Sequence, residues 1–321
     1  MHHAPKNSPA LPFNIVSLAE TEMLGVSRYR RLNMIRSGRW MEPSRGLICT
    51  EALNSIDQAT FHREWARAEI IRRGSRHVAS VWSAARIWGL PDYVTPTPVT
   101  ELSLTTDSGR NTRSKRVGSV RILEAPLPDS AKTTCDGIPV TTLARTVADC
   151  ARRLSFEDAV VIIESALNSK RGRDFDTSHR LRDEIRDELN AFARAHGSVR
   201  ARAALDFASS LSESVFESRS RVFFEVHRIP QPRQQVEFGD ENGTRARGDF
   251  VWELQKVVGE ADGYAKTGNL PTDSERRRRW KRDKERDLYL NSLGYRVIHW
   301  TWDDLRRPLE LAATLRRVLA L

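Results

Sequence analysis

Hydrophobic and polar positions alternate with changing period along this chain, and the changes divide it into four stretches. In "VSLAETEMLGVSRYRRLNMIRSGRWMEPSRGLICT" a short helix breaks at Gly25-Val26, and Ser27 stands where an N-cap belongs. The second helix, about residues 28–37, is expected to turn Tyr29, Leu32 and Ile35 inward and Arg28, Arg31 and Arg36 outward, with Gly38 ending it. "RWMEPSRGLIC" then reads as strand, turn and strand, the turn at residues 43–46. Helices are expected at about residues 58–73 and 77–88, strands at "TELSLTT", "VGSVRILEA" and "GIPVTT", and helices at "TLARTVADCARRL" and "FEDAVVIIESALNS".

The polar run "NSKRGRDFDTSHRLRD" places a junction near Lys170. Beyond it "DEIRDELNAFARAHG", "SVRARAALDFASS" and "ESVFESRSRVFFEVHR" read as helices, the last ending before Ile229-Pro230. A strand pair, a basic helix, a strand at residues 295–301 and a helix from Asp303 complete the chain. The class is therefore α+β multidomain. Residues 12–50 are expected to form a winged helix-turn-helix, or else a helical hairpin that packs on the next domain and meets no DNA; a small α+β domain follows at 51–169, a helical connector at 170–210, and an α/β domain with a central β-hairpin at 211–321.

The hairpin raises the chemical question. "RGDFVWELQKVVGEADGYAK" sets Asp249, Glu260 and Asp262 in a run that otherwise reads as buried strand. A turn centred between Leu254 and Gln255 brings Glu253 opposite Lys256, Val251 opposite Val258, and Asp249 opposite Glu260. Opposed residues share a face with Cβ atoms about 4.5–5.5 Å apart, where like charges repel, so a positive group belongs between the acids. Asp262 returns to that face by alternation. Two readings stand: a site, or a half-exposed hairpin with an acidic outer face. The turn residues Glu-Leu-Gln-Lys lack the Asn-Gly or Asp-Gly of a tight hairpin.

Charge changes the picture further. The 321 residues carry 52 Lys and Arg against 42 Asp and Glu, a net +10, which draws the molecule toward polyanions. Nucleic acid is the leading partner. "SERRRRWKRDKERD" gathers Arg276, Arg277, Arg278, Arg279, Lys281 and Arg282 around Trp280, either to track a phosphate backbone or as an exposed helix held by i,i+4 pairs. No run approaches a membrane span, and the first residues lack a secretory pattern. Three cysteines without CxxC spacing fit a reducing compartment, so a cytoplasmic location is expected. GxSxG, GxxxxGK[ST] and HExxH are all missing, and His299 in "RVIHWTW" reads as a packed strand residue whose strand flanks the acids.

"ESVFESRSR", "RGDFVWELQKVVGEADG" and "KRDKERDLYLNSLGYRVIHWTWDDL" in succession resemble the very-short-patch-repair-endonuclease-like branch of the PD-(D/E)XK nuclease superfamily, over about the last third of the chain. The resemblance implies a restriction-endonuclease-like domain in which Asp249 and Glu260 hold a divalent metal. Glu217 would join them from the preceding helix, with Glu213 one turn earlier. Hard carboxylate ligands select Mg2+ or Mn2+. Where the superfamily carries lysine, two residues after the second acid, this chain has Asp262, and Lys266 is the candidate replacement.

"SRYRRLNMIRSGRWMEPSRGLICT" and "IPVTTLARTVADCARRL" resemble the AbiEi family of type IV antitoxins, bacterial DNA-binding repressors. That resemblance implies Arg28, Arg30 and Arg31 as DNA-facing residues, and a cognate toxin or a second copy of the chain as partner. Arg145 and Asp149, one turn apart, read as an i,i+4 pair. Three functions follow: a DNA-binding, metal-dependent endonuclease using Asp249, Glu260, Asp262 and Lys266; a non-catalytic repressor or antitoxin with a degenerate nuclease domain; and an RNA-acting enzyme.

Overall fold

A computed structural model describes residues 15–52, 55–74, 76–92, 100–107, 113–168, 175–240, 243–262 and 273–321, with the side chains of residues 175, 240, 273–276, 279 and 280 outside that description. Contacts divide the chain into two compact units, Met1–Ser155 with Leu181–Ala203, and Phe156–Arg180 with Ala204–Leu321. Both contain helices and sheet, so the architecture is α+β and multidomain. No helix among the described residues is long and apolar enough to cross a membrane. Cys49 and Cys150 are buried free thiols, and Cys135 is half-buried.

The first unit opens with β1 (Ile15–Ser17), α1 (Leu18–Met23), α2 (Arg28–Arg36), β2 (Met41–Ser44) and β3 (Leu47–Cys49). β3 lies between β1 and β2, so the expected two-stranded ribbon has a third strand. Ser27 Oγ accepts the Arg30 N–H at 3.2 Å and caps α2 as expected. The ribbon turns at Arg45-Gly46 with Pro43 inside β2, two residues later than expected, and Gly46 supplies the φ of +88°. Within α2 the inward and outward assignments are partly reversed. Tyr29 and Leu32 are exposed, while Arg31 is buried and donates to Thr21 Oγ1 at 3.2 Å.

α3 (Gln58–Arg73), β4 (His77–Ala79), α4 (Val81–Ile87), β5 (Leu102–Asp107), β6 (Arg113–Val117), β7 (Val120–Ala125), β8 (Lys132–Cys135), β9 (Ile138–Thr141) and α5 (Leu143–Ala151) follow. Their strands form a sheet in the order β6-β7-β5-β4-β9-β8. Residues 77–79 were expected to begin a helix and instead fill the sheet between β5 and β9. A three-residue strand is too short to show alternation, so its Val joined the apolar stripe of α4. Phe61 and Trp65 of α3 pack with Leu102, Leu104, Ile122 and Ile138 in the core. Glu69, fully buried, accepts from Ser44 Oγ at 2.9 Å and from Arg72 and Arg73, which ties β2 to α3. Asp149 is equally buried. Burial opposes its charge, but Arg145, Arg153 and Arg152 hold it below the usual carboxylate range, with Arg145 Nε at 2.8 Å.

Three helices follow: α6 (Phe156–Leu167), α7 (Phe175–Ala191) and α8 (Ser198–Phe207). The second unit continues with α9 (Val215–Val226), β10 (Arg233–Asp240), β11 (Gly243–Trp252), β12 (Val257–Ala261), α10 (Asp273–Ser292), β13 (Arg296–Trp300), α11 (Trp302–Leu305) and α12 (Pro308–Leu319). Its sheet runs β10-β11-β12-β13, antiparallel except for the parallel β12-β13 pair. β10 is an additional strand that the sequence reading did not include. Side chains alternate across the sheet. Phe250, Trp252 and Trp300 meet Phe224 of α9 and Leu315 of α12 on one face, while Val251 and Val258 meet Leu290 of α10 on the other. Trp300 donates to Ser220 Oγ at 2.8 Å and Trp302 packs on Phe216, so both are core aromatics.

Candidate active site

The hairpin of β11 and β12 has the expected register, with Val251 opposite Val258 and Phe250 opposite Gly259. Its turn is a four-residue one. The Lys256 N–H donates to Glu253 O at 3.2 Å, and Lys256 itself takes the left-handed φ of +52°, so no Asn-Gly is needed. A Cβ on Gly259 would lie 2.6 Å from the Trp300 ring, so only glycine fits beside Glu260. Across β11 from Asp249, Gln235 of β10 takes a φ of +52°, between the paired positions Gln234–Phe250 and Val236–Gly248. Such backbone outliers gather where a site is being shaped.

The two acids act on each other. Asp249 Oδ2 accepts the Ala261 N–H at 3.0 Å. Burial pushes the Asp249 carboxyl up, against the pull of that amide and of Arg286 and Arg247. Burial and then the charge of Asp249 push Glu260 up to about 8, although Arg286 and His299 favour its anion. The positive group expected between them is Arg286 of α10, whose Nη1 lies 3.2 Å from Glu260 Oε2. Glu260 Oε1 is buried with no hydrogen-bond partner among the described residues. An unsatisfied buried carboxylate oxygen carries a substantial desolvation cost.

The other expected acids are engaged. Glu217 sits in the first turn of α9, where Ser214 Oγ accepts its N–H; its carboxylate accepts from Ser214 Oγ, the Glu213 N–H and Gln235 Nε2 at 2.8–2.9 Å. Burial, and then Asp249, push it up to about 7. Glu213 Oε2 pairs with Arg247 Nη2 at 2.8 Å. Asp262 is half-exposed and holds His299 Nδ1 at 2.9 Å, while His299 Nε2 lies 3.1 Å from Asp287 Oδ2. The hydrogen bond to Asp262, working against burial and reinforced by the charges of both acids, pushes His299 up to about 9. His299 also stands beside Glu260 in the parallel ladder. Lys266 lies outside the described residues.

His299, Arg286 and Asp287 are thus the site residues the sequence reading undervalued. For Arg286 and Asp287 the signal is the "ERD" within α10, which reads as charge alone until the fold lays it over the hairpin; His299 stands on β13. Among the described residues no three His, Cys, Asp or Glu side chains gather in a metal-ligating group. What fits a hard divalent cation is narrower: the half-buried Asp249 carboxylate and the buried Glu260 Oε1, which has no partner among the described residues, two acids that resist carrying their charges together.

A groove of about 700 Å³ runs between β11 and α10, lined by Arg245, Arg247, Asp249, Arg282, Arg286 and Tyr289, with Asp283 and Glu285 at its wall. Of the basic residues expected to meet nucleic acid, Arg277, Arg278 and Lys281 are exposed on α10, whereas the side chains of Arg276 and Arg279 lie outside the described residues. In the first unit Arg28 and Arg30 are exposed on α2, beside Tyr29, which is 76% exposed. Arg31 is instead spent on Thr21 and, at 3.6 Å, on Glu22.

No protein-family model matches the chain. It is 30% identical over 180 residues to two uncharacterized proteins of Mycobacterium tuberculosis, from strains CDC 1551 and H37Rv. The match takes in 56% of this chain and 61% of each relative, so the chain spans about three fifths of the length of those relatives.

Proposed function

We propose that the chain is a DNA-binding protein whose C-terminal unit hydrolyses phosphodiester bonds with Mg2+ or Mn2+ held at Asp249 and Glu260. One observation carries the reading: Glu260 Oε1 is buried without a hydrogen-bond partner among the described residues, and Glu260 is paired with Arg286, which lines a groove together with Asp249 and three further arginines. A divalent cation bound there would polarise the phosphodiester and lower the pKa of the attacking water. Asp249 and Glu260 supply its oxygens. Arg286 neutralises the pair in the cation's absence and faces the groove, where it can meet the phosphate. His299, held between Asp262 and Asp287, supplies the positive charge that a lysine would give at position 262, and Lys266 remains a candidate from the following loop. Glu217 would add an oxygen by releasing Gln235.

The succession of α9, the β11–β12 hairpin, α10 and β13 supports the likeness to the very-short-patch-repair-endonuclease-like branch. The capped helix α2 with its three-stranded sheet supports a winged helix of the AbiEi type, presenting Arg28, Tyr29 and Arg30 to a DNA groove. A second reading, a non-catalytic repressor with a degenerate nuclease domain and a toxin or second copy as partner, is favoured by the engagement of Glu213, Glu217 and Asp262 with protein groups.

Purified protein should cleave single-stranded, duplex or mismatched DNA in Mn2+ or Mg2+ and not in chelator. Asp249→Asn and Glu260→Gln should each abolish cleavage while retaining DNA affinity. Absence of cleavage on every substrate, with binding to an operator, decides for the repressor.

A further inference from the structure

We infer that the groove between β11 and α10 is a track for the phosphodiester backbone of one nucleic-acid strand, delivering it to Asp249. Among the described residues four arginines line it and no lysine does. Guanidinium forks match phosphate oxygens in pairs, which an ammonium cannot do.

The arrangement is ordered in two ways. On α10, Arg278, Arg282 and Arg286 recur every fourth residue, which puts them on one helix face about 6 Å apart along the axis. A second hollow of about 460 Å³, lined by Arg278, Lys281, Arg282 and Glu285, adjoins the groove through Arg282 and Glu285. The basic path therefore continues along that face, with Arg286 on Glu260 at its inner end. On β11 the register shifts between Phe238 and Gly239, which pair with Ala246 and Thr244, so Arg245 is the extra residue of a bulge. A bulge re-aims the side chain it carries. Here the Arg245 guanidinium lies over the Tyr289 ring, 5.6 Å from its centroid, on the wall opposite its own strand.

Among the described residues three acids line the groove against its four arginines: Glu285 is paired with Lys281 at 3.8 Å, Asp249 belongs to the proposed cation site, and Asp283 is the third. Among the described lining residues the aromatic face is that of Tyr289, and Arg245 lies over it, which leaves bases no platform on that ring. Recognition by this path is of the backbone and blind to sequence. The direction of the track toward Asp249 rests on the phosphodiesterase reading; its affinity for the backbone does not.

The test uses the full chain carrying Asp249→Asn, which binds without turnover, in chelator. Anisotropy of a labelled 12-nucleotide DNA strand, the same sequence as duplex, and the same sequence as RNA is followed against salt. Adding Arg245→Gln with Arg282→Gln should weaken binding of each at least tenfold and lower the single-strand log–log salt slope by about 1.4, since each phosphate contributes about 0.7. Arg306→Gln, an exposed arginine of the same unit outside the groove, should change affinity less than twofold. Lysine at 245 and 282 should restore most of the salt slope and only part of the affinity. Unchanged affinity and slope in the double glutamine variant, with an unchanged melting curve, overturns the track. Equal losses from Arg306→Gln overturn it as well, because net charge alone then explains binding. Loss of the track with cleavage intact in the otherwise wild-type double variant overturns delivery to Asp249 and leaves the catalytic reading standing. Binding on the track without wild-type cleavage would remove the catalytic reading alone.

Discussion

Asp262 Oδ2 and His299 Nδ1 stand 2.9 Å apart, so the acid that follows β12 is bound to a histidine of β13. With Asp287 on its other nitrogen, the ring is held as an imidazolium up to about pH 9. Nitrogen-15 NMR of the ring should show both nitrogens protonated at pH 7.5. Asp262→Asn should bring the titration down by more than one pH unit, toward the ordinary histidine value. A neutral ring at pH 7.5 in the wild type contradicts the assignment of positive charge to this position.

The acid pair makes stability depend on pH. Glu217, at about 7, and Glu260, at about 8, both take up protons more readily folded than unfolded, as does Asp249. Their contribution is complete below the ordinary carboxylate range and is lost as pH rises through those values. His299 acts in the same direction, losing its contribution as pH rises through about 9. The metal-free protein should therefore melt lower at pH 8.5 than at pH 5. Asp249→Asn relieves the repulsion while keeping an acceptor for the Ala261 N–H, and should raise Tm at pH 8 by several degrees, about 1–3 kcal/mol. A Tm in the wild type that is flat from pH 5 to 8.5, or lowered at pH 8 by Asp249→Asn, contradicts this account of the pair.

α2 separates structure from recognition one residue at a time. Arg31→Ala leaves Thr21 and Glu22 without their buried partner and should destabilise the first unit by about 1–3 kcal/mol, read as a lower Tm. Arg28→Ala with Arg30→Ala should leave Tm within a degree and lower affinity for duplex DNA, with a changed preference among sequences. Loss of DNA affinity from Arg31→Ala alone at unchanged Tm would reverse those roles.

Sequence patterning was most informative where it was longest. A turn placed between Leu254 and Gln255 sets the hairpin register that the structure has, Val251 opposite Val258 and Phe250 opposite Gly259. Patterning failed over short elements: β4 has three residues, and α2 has nine in which an arginine, not an aromatic, turns inward. A long polar stem can satisfy its charge at a buried edge, so a helix this brief carries too few positions to mark its apolar face. The relations His299–Asp262 and Arg286–Glu260 are long-range in sequence, set by the parallel β12–β13 pairing and by α10 lying over the sheet. No local pattern encodes them.

The central claim is that Asp249 and Glu260 hold a divalent cation, and crystals grown with Mn2+ test it through the metal's own anomalous scattering. The account predicts a difference peak about 2.1 Å from Glu260 Oε1 and from an Asp249 oxygen, with the Arg286 guanidinium drawn off Glu260 toward the groove. A map without a peak at the two acids, and with Arg286 still paired to Glu260, would contradict it.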